Sequence, residues 1–225
     1  MDIKPYSVSG SDLTGPSVQV GDRVERVVVF LHGYGANGDD LISLAQPLGQ
    51  GLNNCLFISP NAPEPLPAVA LNSTGRQWYA LQELTPEAIG AGAAKARPVV
   101  DGFLSAVLAA HELPPKALSV LGFSQGCMMA LETCYRRDEA IAAVIGFSGA
   151  LPKPEDFQRE VKAKPPALLV HGTADPVVPF HLMSIAAQTL ASAGIEVQSH
   201  ALPGLPHGID QRGLQSAYLF LNRHA

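Results

Sequence analysis

Short, nearly unbroken apolar runs recur along the chain at residues 27–31, 55–59, 117–121, 141–145 and 167–171. Each is too short for a helix and ends at Gly, Pro or a polar residue, so each predicts a strand buried on both faces. Residues 195–201 add a last strand. Between these runs the apolar positions switch to helical spacing. Helices are predicted over 39–48, over 85–112, after Gly126 through Met128, Leu131, Cys134 and Tyr135, over 180–193, and in a final segment carrying Leu214, Tyr218 and Leu221. Thr85-Pro86-Glu87 has the form of a helix start, with Thr as N-cap, Pro at the first position and an acid in the first turn. Pro98 is expected to break or kink that helix midway, and Gly194 closes the 180–193 helix. Residues 1–22 are polar and Gly/Ser-rich, and alternation near 6–8 and 18–20 predicts an edge hairpin. Strands alternating with helices imply a mostly parallel central sheet covered by helices on both faces.

One junction carries more information than the rest. The strand at 117–121 runs into Gly122-Phe123-Ser124-Gln125-Gly126 and then directly into a helix. Strand, G-x-S-x-G and helix in that order form a nucleophile elbow. The turn lifts Ser124 off the sheet edge, the glycines remove side chains where strand and helix cross, and the helix aims its first N–H groups at the same spot. Without that context, the same five residues would be a glycine-flanked turn with an ordinary serine.

Composition narrows the picture. The 225 residues are 47% apolar and 16% charged, enough for a sizeable core, and the expectation is one domain over 1–225 with 1–22 as its N-terminal edge segment. A formal net charge of −5 without a basic cluster argues against nucleic acid as partner. The chain shows no apolar leader and no membrane-length apolar stretch, so the expectation is a cytoplasmic protein without an integral membrane segment. The three cysteines fit a reducing compartment. Cys127 and Cys134 lie about 10 Å apart along one predicted helix, too far to bridge, and with Cys55 they read as core residues.

In an open parallel sheet, chemistry sits at the carboxyl ends of the strands. That rule selects His32, Gly33, Tyr34, Ser124, Ser148, Asp175 and His207. A serine hydroxyl needs a base to take its proton, and the base needs a carboxylate to fix its tautomer. Ser124, Asp175 and His207 occur in the chain order that this arrangement uses. Other readings remain open. Asp175 before Pro176 could simply start a turn, with Asp156 or Asp210 taking its place. Ser148 lacks the glycine frame. His171 ends a strand as a packed or hydrogen-bonded partner, and His111, His181, His200 and His224 lack the right address. Acyl transfer also needs donors for an oxyanion, and the backbone N–H groups of Gln125 and Tyr34 are the candidates. His32 then braces the loop rather than doing chemistry.

Gly33-Tyr34-Gly35-Ala36-Asn37-Gly38 spells G-x-G-x-x-G between a strand and a helix, the outline of a dinucleotide site. That reading needs an acid at the end of the next strand, and no Asp or Glu occurs between Asp40 and Glu64. Zinc fares no better, since His111-Glu112 lacks the second histidine of H-E-x-x-H. No cofactor and no metal are expected.

From about Val27 to Leu221 the sequence resembles the phospholipase/carboxylesterase family of α/β-hydrolases, which includes bacterial carboxylesterases and acyl-protein thioesterases. The resemblance rests on linked segments: F-L-H-G-Y-G, P-N-A-P, R-Q-W-Y, L-G-F-S-Q-G, F-S-G-A-L-P, H-G-T-A-D-P-V-V-P and P-H-G. It implies an α/β-hydrolase fold without a large cap domain, Ser124, Asp175 and His207 as triad, and the Tyr34 and Gln125 amides as oxyanion hole. It further implies Trp78 near the site and an acyl-binding wall at Leu66, Val69 and Leu71, in a loop that carries four prolines and, between Ala62 and Leu71, one charge. Cys127 stands where many members carry glycine. The resulting expectation is a serine hydrolase of carboxylic esters or thioesters with short-to-medium acyl chains, acting on a small molecule, a lipid or an acylated protein. A catalytically silent binding module and a peptidase are the rivals. Oligomeric state stays open.

Overall fold

The computed structural model describes residues 2–66, 74–83 and 85–224. In chain order its elements are β1 (Lys4–Tyr6), β2 (Gly15–Val20), β3 (Arg26–Leu31), α1 (Gly38–Ile42), α2 (Ala45–Leu48), β4 (Cys55–Ile58), β5 (Glu64–Pro65), β6 (Arg76–Gln77) and α3 (Pro86–Ala110). There follow β7 (Leu118–Phe123), α4 (Gln125–Cys134), β8 (Ala143–Phe147), α5 (Pro154–Glu160), β9 (Ala167–Gly172), α6 (His181–Ser192), β10 (Val197–Leu202) and α7 (Gln211–His224). The main sheet is ordered β1-β2-β4-β3-β7-β8-β9-β10. From β4 to β10 every neighbouring pair is parallel, while β2 joins β4 antiparallel and β1 pairs back onto β2 as the expected edge hairpin.

Strand β3 shows why its sequence reads as a continuous apolar run. Val27, Val29 and Leu31 point into one core cluster and Val28 and Phe30 into the other, following the two-residue period of a strand. The first cluster takes side chains of α3, α4 and α6; the second takes those of α1, α2 and α7. The sheet is therefore the middle of three layers, and the apolar half of the chain is consumed by its two faces.

Two helices differ from their sequence reading. The segment 39–48 forms two short helices, α1 and α2, not one. Pro47 lies in α2, and its ring opposes the carbonyl of Ser43, where the first helix ends. Helix α3 runs unbroken from Pro86 to Ala110 through Pro98. Pro98 leaves the Ala94 carbonyl without its helical donor, but both residues face solvent, where water satisfies the oxygen. Val100, Phe103, Leu104 and Val107 anchor the opposite face in the core. Thr85 caps this helix as expected, its Oγ1 accepting from the Ala88 N–H at 3.2 Å. The hairpin of β5 and β6 and the helix α5 have no counterpart in the sequence reading. Cys55, Cys127 and Cys134 are free and buried.

Candidate active site

The turn after β7 holds Ser124 at φ 54° and ψ −117°, left-handed backbone that L-residues avoid. Such a conformation costs about 1–3 kcal/mol and persists only where its surroundings enforce it. Here the Ser124 N–H donates to the Phe147 carbonyl at 2.9 Å, and its own carbonyl accepts from Met128 N–H at 3.1 Å. The flanking glycines are needed for close approach. A Cβ on Gly126 would collide with the Leu31 carbonyl, and one on Gly122 with the Gly126 carbonyl. Gln125 is the first residue of α4, so its N–H has no acceptor within the helix.

The loop after β3 passes directly over this turn. A Cβ on Gly33 would stand 3.1 Å from the Phe123 ring and 3.4 Å from Ser124 Cβ. His32 supports the loop from beneath. Its Nε2 accepts from the Ala62 N–H at 3.0 Å, so its Nδ1 carries the proton and donates to the Gly33 carbonyl at 2.8 Å. Burial lowers the His32 pKa, consistent with this neutral tautomer. Among the described residues, the Tyr34 N–H has no protein acceptor.

Asp175 follows β9 and His207 follows β10, and the fold brings the two side chains together. His207 Nδ1 donates to Asp175 Oδ2 at 2.7 Å, leaving Nε2 as the acceptor. The other carboxylate oxygen, Oδ1, accepts from the N–H groups of Val177 at 2.8 Å and Val178 at 2.9 Å. Burial works to raise the Asp175 pKa, but hydrogen bonds from His207, Val178 and Val177 and the attraction of the imidazole hold it below the ordinary carboxylate value. The Phe123 ring, next to Ser124, lies 4.9 Å from the His207 ring between centroids. All of this stands at the carboxyl ends of β3, β7, β9 and β10.

The alternative candidates stand elsewhere. Asp156 pairs with Arg159 at 2.6 Å. Asp210 starts α7, accepting from Gly213 N–H at 2.9 Å and from Arg212 Nε at 2.7 Å. Ser148 is buried at φ 48°, and its Oγ has no partner among the described residues. His111 stacks on Tyr6 at the far edge of the sheet, and His200 bonds Ser216 at 2.7 Å.

The substrate-facing expectations divide. Leu66 is half-buried beside the loop that follows β3, its Cδ1 3.8 Å from where a Cβ on Gly35 would stand. Val69 and Leu71 lie outside the described residues. Trp78, read from sequence as a substrate contact, is 1% exposed, so its ring lies behind the site and not on its surface. Its Nε1–H donates to the His32 carbonyl at 2.9 Å, and its backbone N–H donates to Gln125 Oε1 at 3.0 Å. Gln125 Nε2 donates in turn to the Tyr79 carbonyl at 2.8 Å. Arg76 completes the strap: its N–H donates to the Ala36 carbonyl at 2.8 Å, its carbonyl accepts from Gly35 N–H at 2.9 Å, and its guanidinium holds the carbonyls of Ala62 and Pro63. Residues 76–79 thus tie the loop carrying Tyr34 to the helix start carrying Gln125. Sequence reasoning missed the roles of Arg76 and of the Gln125 side chain. The R-Q-W-Y segment was the available signal.

Among the described residues, no group of His, Cys, Asp and Glu could hold a metal ion, and no helix is long and apolar enough to cross a membrane. A crystal structure of esterase PE8 superposes with a TM-score of 0.88 and 38% identity, covering 95% of this chain and 99% of that one. Acyl-protein thioesterase 1 homolog 1 of Dictyostelium discoideum is 29% identical over 80% of this chain and 82% of its own length. Esterase YpfH of Escherichia coli is 27% identical over 89% of this chain and 84% of its own. The phospholipase/carboxylesterase family model matches residues 16–225, nearly the whole of the sheet and helices described above. With its α/β-hydrolase sheet and a strained serine turn at the end of β7, the chain belongs to the phospholipase/carboxylesterase family.

Proposed function

We propose that the chain is a serine hydrolase of carboxylic esters or thioesters, with Ser124 as nucleophile, His207 as base and Asp175 as the carboxylate that orients it. The observation that carries this reading is the 2.7 Å hydrogen bond from His207 Nδ1 to the buried side chain of Asp175, with the His207 ring 4.9 Å from that of Phe123, the residue before a serine held at φ 54°. In the mechanism, His207 Nε2 takes the Ser124 Oγ proton as the oxygen attacks the acyl carbon. The carbonyl oxygen becomes an oxyanion, held by the N–H groups of Tyr34 and Gln125. Collapse of this intermediate breaks the bond to the alkoxide or thiolate, which leaves with the proton from His207. Water then repeats the sequence on the acyl-serine and releases the acid. Asp175 stays ionised throughout, which its lowered pKa favours, and stabilises the imidazolium formed at each transfer.

Half-buried Leu66 beside the oxyanion loop supports a short-to-medium acyl chain as the group held there. Small esters and thioesters are the substrate class we assign, with lipids and acylated proteins as their larger forms. The three free, buried cysteines support a cytoplasmic setting, and the continuous eight-stranded sheet supports one domain over the whole chain. The test is direct. Ser124→Ala should fold as wild type and lose esterase turnover by about 10³-fold or more, while Ser148→Ala keeps most of it. Activity that survives in the first variant and vanishes in the second would overturn the assignment.

A further inference from the structure

Asp175 has one neighbour that the mechanism above does not use. His171, on β9 and 1% exposed, places Nε2 3.2 Å from Asp175 Oδ2 and 2.9 Å from the Val178 carbonyl. Both neighbours are acceptors, so Nε2 must carry the proton; its hydrogen bond goes to the Val178 carbonyl, and Asp175 Oδ2 lies beside that N–H at ion-pair distance. We propose that His171 is a positioning residue for the reaction: its N–H, bonded to the Val178 carbonyl and set against Oδ2, keeps the Asp175 carboxylate in line with His207. This inference rests on the reading of Asp175 as the acid behind the catalytic base.

Counting donors makes the case. A carboxylate offers about four lone-pair sites; three N–H groups bond Asp175, Val177 and Val178 on Oδ1 and His207 on Oδ2, and the His171 N–H stands 3.2 Å from Oδ2 as the fourth neighbour. The Asp175 side chain has no exposed surface. Together these neighbours hold the carboxyl plane while the proton moves between Ser124 and His207. The bond to the Val178 carbonyl fixes the same loop from its other side: Val178 donates to Asp175 with its N–H and accepts from His171 with its carbonyl. The Phe180 ring stands edge-on to His171 at 6.0 Å and 80°, which keeps the imidazole in this plane. Among the described residues, the titratable side chains that face Asp175 are His171 and His207.

Removing the N–H dipole that faces Oδ2 at 3.2 Å leaves more of the carboxylate charge to His207 and stabilises the imidazolium relative to the neutral ring. It also frees the carboxyl group to turn. His171→Phe keeps the ring and loses the N–H. His171→Asn keeps an amide but stops a bond short of Oδ2. His171→Gln can place an N–H where Nε2 was. The experiment measures kcat/KM for a soluble p-nitrophenyl ester from pH 5 to 9 in all three full-length variants, normalised to the folded fraction by circular dichroism. Phe and Asn should each lose about tenfold or more, mostly in kcat, and the acid limb of the profile should move to higher pH by about half a unit. Gln should recover most of both. If a variant fails to fold, the other two carry the comparison. An unmoved limb in Phe and Asn, or a folded Gln variant as impaired as Phe, would overturn the proposal and leave His171 a packing residue. Wild-type activity in Asp175→Asn would instead sink the reading beneath it.

Discussion

Trp78→Phe separates the two roles that Trp78 could have. The substitution keeps a buried aromatic ring but removes the indole N–H, and with it the 2.9 Å bond to the His32 carbonyl. That carbonyl belongs to the His32–Gly33 peptide, one peptide before the Tyr34 amide, under a tryptophan with 1% exposure. An orphaned buried acceptor costs about 1–3 kcal/mol, and the lost ring volume adds a cavity term of about 1 kcal/mol. The sum, about 2–4 kcal/mol, should lower Tm by roughly 5–15 °C while leaving the protein folded. The Gln125 side of the strap remains, because the Trp78 backbone N–H still reaches Oε1. The Tyr34 amide is then free to drift by several tenths of an ångström. Misplacement of that order should reduce kcat by roughly tenfold, with KM changed less than about threefold. Steady-state kinetics on p-nitrophenyl butyrate, below the melting range, reads both constants. A rise in KM with unchanged kcat would refute the reasoning, because it would mean that the indole touches substrate.

Two further outcomes follow from other parts of the molecule. Glu132 on α4 is buried between Arg136 at 2.9 Å and Arg97 at 3.4 Å, and burial pushes its pKa up to about 7 despite both cations. Between about 4.5 and 7 the folded state keeps a proton that the unfolded state has lost, so this residue's contribution to stability falls as pH rises through that window. At 1.36 kcal/mol per unit, wild type should lose about 3 kcal/mol more than Glu132→Gln between pH 5 and pH 8 in urea unfolding; a difference that does not change with pH contradicts this. Leu66→Asp should flatten the chain-length preference of kcat/KM from acetate to hexanoate esters, where each buried methylene adds up to about 0.8 kcal/mol, or fourfold. A wild-type profile that declines steadily from acetate would remove Leu66 from the acyl site.

The legible part of the fold was that governed by local pattern. Strands β3, β4, β7, β8 and β9 are buried on both faces, so their sequence is largely apolar and their placement follows from it. The elbow was legible because the close approach of Gly126 to the Leu31 carbonyl admits no side chain. Pro98 misled because the harm of a helical proline depends on whether the freed carbonyl is buried, and Ala94 and Pro98 are both exposed. Helix α5 was missed although Pro154, Glu155 and Asp156 form a start signal, since only Phe157 in its seven residues is buried. Trp78, Arg76 and the Gln125 side chain were opaque for a different reason. Their partners lie up to 47 residues away, and no spacing rule reports which carbonyl a buried N–H will meet.

The central claim is that Ser124 is the nucleophile, and covalent trapping tests it most directly. A fluorophosphonate probe phosphonylates an activated serine and stays attached through proteolysis. Trypsin separates the two serine candidates, because Lys116, Arg136, Arg137 and Arg159 place Ser124 within residues 117–136 and Ser148 within residues 138–159, Lys153 being followed by Pro154. Tandem mass spectrometry of the labelled, folded protein should find one modified peptide, 117–136, with the added mass on Ser124 and not on Ser119, and ester hydrolysis should fall away in step as the label accumulates. A label on Ser148, or full ester hydrolysis in protein whose Ser124 is stoichiometrically phosphonylated, would contradict the account.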